Sequence, residues 1–156
     1  MFKKFKIFNY RVMIYARRVY GTAGINSNLK DGLHVPMFDL DKINIRELET
    51  EALRIGELYR LGDAVILSTG RQDSYHLYFM NRLPFRKCLE IGVTCAAVDL
   101  KHIQFSIKRG HFTLRSMPKK GRTPYLVSII RSKNPSDFSP KDFTSFVLYE
   151  TANAPC

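Results

Sequence analysis

The chain has 156 residues, 45% of them hydrophobic and 25% charged, and a formal net charge of +11. That length and composition predict one soluble domain with a proper core, and no apolar run reaches the roughly 20 residues of a membrane helix. Cys88, Cys95 and Cys156 are scattered without a CxxC pair, which argues against a disulfide framework or a zinc site and for a reducing compartment, cytoplasmic or nucleoid-associated rather than secreted.

The positive charge is unevenly spread, and a polyanion is the expected partner. Residues 1–30 hold Lys3, Lys4, Lys6, Arg11, Arg17, Arg18 and Lys30 with no acid, so they read as a basic segment preceding or packed on a core at 31–150. Aromatics interleave with these bases, as in surfaces on which single strands stack. A strand or short helix that buries Val12, Ile14 and Val19 is the simpler use of the same residues. Lys and Arg break its apolar stretches, so it is no signal peptide. Gly21 to Asn28 is a loop by composition.

Val35 to Asp41 (Val-Pro-Met-Phe-Asp-Leu-Asp) reads as a buried strand ending in two carboxylates. Residues two apart share a strand face, so Asp39 and Asp41 point one way and Leu40 the other. Two such charges repel unless a cation lies between them, and Mg²⁺ or Mn²⁺ suits oxygen ligands. The plainer alternative is a polar strand end that turns into a helix. That helix follows: Asn44 and Glu47 form a capping-box pattern, Ile45, Leu48, Ala52, Ile55 and Tyr59 make one apolar face, and Gly62 is the expected end. With the strand at Ala64 to Ser68 it makes a β-α-β unit.

Thr69 to Asp73 is a polar turn, and Tyr75 to Met80 returns as the second strand of a hairpin. His76, Tyr78 and Met80 share one of its faces, and a lone histidine there reads as structural. Leu83-Pro84 breaks the chain, and Phe85 to Gly92 is a short helix. Cys95 to Leu100 is an apolar run that closes on a third carboxylate, Asp99. Ile103, Phe105 and Ile107 alternate with polar residues and predict a strand. Bases gather from here on: Lys101, Lys108, Arg109, Arg115, Lys119, Lys120, Arg122 and Arg131. Ser116 to Pro124 is a basic loop, Tyr125 to Ile130 a strand, residues 134–141 a loop, residues 143–149 a last strand, and residues 151–156 a frayed end.

Three marks thus stand in order: Asp39-Leu40-Asp41 after an apolar run, Ser74-Tyr75-His76 opening a strand, and Val98-Asp99 closing a further run. Over residues 33–115 this set resembles the compact plasmid and virus members of the archaeo-eukaryotic primase superfamily. That family carries an Asp-x-Asp, a small residue-x-His and an apolar residue-Asp in the same order. The resemblance implies an α+β domain with a mostly antiparallel catalytic sheet like that of the RNA-recognition fold, flanked by helices. It implies that Asp39, Asp41 and Asp99 hold two divalent ions, Mg²⁺ or Mn²⁺, for nucleotidyl transfer in DNA replication. Ser74 and His76 would contact the phosphates of the incoming nucleotide, joined by Arg109 and Arg115. Lys108, Lys119, Lys120 and Arg122 would touch nucleic acid. A single-stranded DNA template and nucleoside triphosphates are the implied partners, with a second subunit or helicase beside them. The chain departs from larger members in having no zinc-binding cluster and no room for a following helical module.

A non-catalytic single-strand-binding module is the main alternative. A pure polyanion binder gains nothing from acids on its binding face. A metal-dependent nuclease also gathers carboxylates, and the Ser-x-His spacing argues mildly against it. A rolling-circle relaxase is excluded by the lack of a His-x-His pair.

Overall fold

The computed structural model describes residues 24–116, 118 and 121–141, together with the backbone of two strands within residues 2–15. Those strands, β1 (Phe2–Ile7) and β2 (Tyr10–Tyr15), form an antiparallel hairpin with Phe2 opposite Tyr15. The placement of Val12 and Ile14 in the core, Val19, the strand at 143–149 and the frayed end at 151–156 lie outside what is described.

The chain is α+β. Among the described residues its main sheet has four strands, β4 (Met37–Asp41), β5 (Ala64–Ser68), β6 (Ser74–Phe79) and β8 (Tyr125–Ile130), in the order β4-β6-β5-β8. Every neighbouring pair is antiparallel. A smaller pair joins β3 (Gly24–Asn26) to β7 (Thr113–Arg115). Helices among the described residues include α1 (Ile45–Tyr59), α2 (Phe85–Thr94) and α3 (Leu100–Arg109). A four-stranded antiparallel sheet with flanking helices is compatible with the RNA-recognition-like expectation.

Because β4 and β5 both run antiparallel to β6, they are parallel to each other, and α1 is the crossover between them. The register sets Phe38 opposite Leu77, and Phe79 lies two residues further along the same face. α1 covers that face at Phe79 and α2 covers it at Phe38. A Cβ on Gly56 would sit 3.9 Å from the Phe79 ring, and one on Gly92 would come within 2.9 Å of the Phe38 ring. Phe38, Leu40, Leu48, Ile55, Leu77, Phe79 and Ile91 are fully buried there. The opposite face carries Asp39, Asp41, Ser74 and His76.

The capping box of α1 forms as its sequence predicts: the Glu47 N–H donates to Asn44 Oδ1 at 3.0 Å, and the Asn44 N–H donates back to Glu47 Oε2 at 3.4 Å. The helix ends earlier than expected. Arg60 takes the left-handed cap at φ 53°, so Gly62 is not its stop. Gly62 serves another purpose, since a Cβ there would meet the Pro135 carbonyl at 2.7 Å. That close approach belongs to a clamp on Asp63, whose carboxylate accepts Arg131 Nη1 at 2.6 Å and the Ser132 N–H at 2.9 Å.

Three other expectations are corrected. Within the stretch expected as a loop, Gly24–Asn26 is strand β3, whose backbone pairs with β7. The alternation at Ile103, Phe105 and Ile107 is not a strand but part of α3, where Ile103 is buried and Phe105 and Ile107 face solvent. The run before Asp99 is not a strand either. Val98 makes a single bridge to Leu40, and Asp99 is the N-cap of α3, its carboxylate accepting the Lys101 N–H at 2.9 Å. A capped helix satisfies the backbone donors that an isolated strand here would leave unpaired.

Gly56 stands in the interior of α1, where neither a clash nor a positive φ requires glycine. Gly56→Ala should stabilise the fold by roughly 0.5–1 kcal/mol through helix propensity and reduced freedom of the unfolded chain. Urea unfolding reads the gain, and a loss would show that the position cannot accept a Cβ.

Candidate active site

The site begins at the outgoing end of β4. Phe38 and Leu40 have no exposed surface, while Asp39 and Asp41 on the other face are half-buried. The β4–β6 register places Asp39 beside His76 and Asp41 beside Ser74. Ser74 is buried, and its hydroxyl lies 2.9 Å from the Thr69 Oγ1 across the turn.

That turn is fixed from three sides. The Thr69 N–H donates to the Ser74 carbonyl at 3.1 Å, and the Lys42 N–H donates to the Asp73 carbonyl at 2.7 Å. Lys42 and Asp73 both adopt left-handed backbone, at φ 62° and 51°, a conformation that costs energy outside glycine and concentrates at functional sites. Gly70, at φ 76°, packs under Arg122, where a Cβ would fall 2.9 Å from the Arg122 Cβ. From β7, Arg115 ties the turn to the 121–124 segment, donating from Nη2 to the Thr69 carbonyl and from Nη1 to the Arg122 carbonyl, each at 3.1 Å. Asp39, Asp41, Thr69, Arg71, Ser74, His76, Arg115 and Arg122 together line a cavity of about 380 Å³.

The electrostatics are those of crowded like charges. Burial, then Asp41 and Asp99, raise the Asp39 pKa from 3.8 to about 6, against the pull of Arg115 and Arg71. Burial, then Arg115 and His102, lower the His76 pKa from 6.5 to about 3, so its imidazole is neutral at physiological pH. The His76 Nε2 stands 3.9 Å from Asp39 Oδ1, too far for a hydrogen bond. Its Nδ1 is buried without a hydrogen-bond partner. Buried polar atoms are rarely left so, and here the side chain lines a cavity.

Other expected residues lie elsewhere. Asp99 adjoins Asp39 through its backbone, its N–H donating to the Asp39 carbonyl at 2.9 Å, but its carboxylate caps α3 and it is not among the cavity's lining residues. Arg109 ends α3 with its guanidinium 5.6 Å from the centre of the Phe105 ring, exposed and outside the cavity. Lys108 is exposed on the same turn. Lys119 and Lys120 are outside the described residues. Arg122, expected on nucleic acid, lines the cavity with the nucleotide-site candidates. Sequence reasoning did not single out Thr69 and Arg71; their signal was their place in the turn that delivers Ser74 and His76.

Among the described residues no group of three His, Cys, Asp or Glu side chains is close enough to hold a metal by itself. Two half-buried carboxylates on one strand face, one of them resisting ionisation, still fit a hard divalent ion. Mg²⁺ is commonly held by one or two carboxylates, with water and substrate phosphates completing its shell. Among the same residues no helix is long and apolar enough to cross a membrane. No family model, curated protein or solved structure matches this chain.

Proposed function

We propose that this chain is a metal-dependent nucleotidyltransferase of the primase–polymerase type, joining nucleoside triphosphates on a single-stranded DNA template. The observation that carries the reading is one cavity in which Asp39 and Asp41 stand among Arg71, Arg115 and Arg122. Acids alone would suit a cation and bases alone a polyanion. Both together suit a polyphosphate bound with its metal, which is the substrate form in phosphoryl and nucleotidyl transfer.

Asp39 and Asp41 would hold the cation, and Asp99 would sustain the negative field from behind Asp39. When bound, Mg²⁺ or Mn²⁺ supplies Lewis-acid polarisation of phosphoryl oxygens. Arg115, fixed by two carbonyls, presents a charge that needs no reorganisation as the reaction proceeds. His76 is neutral and so offers one N–H donor and one acceptor. The His76 ring and the neighbouring Ser74 hydroxyl, which line the cavity, would orient phosphate oxygens without adding charge. Lys108, Arg109 and the basic loop would hold the template. A second subunit or a helicase is the protein partner this reading implies.

Incorporation of labelled nucleotides on a single-stranded template tests the reading. Product is expected with Mn²⁺ or Mg²⁺ and none with EDTA. The competing reading, a non-catalytic single-strand binder, draws on the +11 charge and on the lack of a three-ligand group among the described residues. Salt-sensitive binding without any metal-dependent product would select it.

A further inference from the structure

Two arginines of the cavity, Arg115 and Arg71, are held in opposite ways. Arg115 is anchored to two backbone carbonyls. Arg71 stands in the β5–β6 turn with a side chain 62% exposed, and its Nη1 lies 4.0 Å from Asp41 Oδ1. A contact of that length and exposure is weak and screened by water. The turn backbone beneath it is pinned at Thr69 and Asp73, so the side chain can move while the turn stays.

Resting on the reading of Asp39 and Asp41 as a divalent-cation site, we infer that Arg71 is the exchangeable counter-ion of that site. Its guanidinium offsets Asp41 in the cation-free protein and gives way when the cation arrives. Two carboxylates on one strand face need positive charge in either state, and Arg71 is the cationic side chain whose contact with Asp41 is direct yet loose. Its charge also reaches Asp39, where it opposes the effect of burial. A destination exists for the displaced group. Arg71 and Asp41 border a second recess lined also by Lys42, Asn44, Glu47, Gln72 and Asp73, where two further acids, beside the one lysine, can receive a guanidinium. Arg115 has no such freedom and remains as the fixed charge of the site. The arrangement separates the two cationic roles between an anchored and a mobile arginine.

Mn²⁺ binding to the full chain, followed by the electron paramagnetic resonance signal of free Mn²⁺, tests this without any turnover. Arg71→Gln is expected to bind Mn²⁺ roughly three- to tenfold more tightly than wild type, because a competing charge close to the ion is gone. Arg71→Lys, which keeps the charge, should stay within about twofold of wild type. Raising the salt concentration should shrink the Gln effect. Mn²⁺ binding that is equal or weaker in Arg71→Gln overturns the counter-ion role while leaving the cation site standing. Failure of both wild type and Arg71→Gln to bind Mn²⁺ removes the cation site and the counter-ion role together.

Discussion

Asp39→Asn is expected to lower metal-dependent nucleotide incorporation by about a thousandfold or more, and at the same time to make the protein more stable at pH 7. The second effect follows from the raised pKa of Asp39, about 6 in the fold against 3.8 ordinarily. The fold favours the protonated carboxyl. Stability linked to that proton is complete below pH 3.8, declines as the pH rises, and is gone above about 6. At full burial such a difference is worth about 3 kcal/mol. The side chain is 33% exposed, so water screens it, and about 1–2 kcal/mol is the expected gain for the neutral amide at pH 7. The advantage should shrink as the pH falls from 6 towards 4. Urea unfolding at pH 7.5 and pH 4, beside an incorporation assay, reads both halves. Retained incorporation would end the nucleotidyl-transfer reading. An inactive variant that is also less stable at pH 7.5 would make Asp39 a structural carboxylate.

His76→Leu should separate function from stability in the same manner. The wild-type ring is buried and neutral, and its Nδ1 has no hydrogen-bond partner. An unsatisfied buried polar atom costs about 1–3 kcal/mol, and leucine fills a similar volume with none. The variant should therefore unfold within about 1 kcal/mol of wild type or later. Incorporation should fall about a hundredfold, the scale of losing one well-placed donor to a transition-state oxygen. A variant that keeps activity within threefold, on the order of what simple repacking produces, would reduce His76 to a core residue.

Much of the site was legible because it lies on strands whose period is two. Asp39 and Asp41 share a face by alternation alone, and Ser74 and His76 do the same on β6. The pairing that brings the two strands together was not in the pattern. It depends on β6 inserting between β4 and β5, a choice made by long-range packing. The error at α3 has a local cause. Phe105 and Ile107 are apolar yet exposed, so the apolar spacing from Ile103 to Ile107 mimicked a strand. The cap residues told the truth: Asp99 before the segment and Gly110 after it, at φ 74°, bracket a helix. Reading Asp99 only as a site carboxylate hid its service as a cap. Arg71 escaped notice because a charged turn residue is ordinarily solvated surface. Its relevance comes from a turn held in place by Arg115, which is distant in sequence.

The reach of Arg115 back to Thr69, across 46 residues, also bears on how the molecule comes into being. Strands β4, β5 and β6, with both carboxylates and the histidine, are complete in the chain by Phe79. Arg115 and Arg122 follow only after two more helices. During synthesis the acidic wall of the cleft is therefore made together with the mobile Arg71, and Arg115 and Arg122 emerge tens of residues later. Closing such long loops is slow relative to local contacts. Until β7 docks, the carboxylates of the half-built sheet have Arg71 of the intervening turn beside them, and the docking of β7 then adds the anchored share of the site's positive charge.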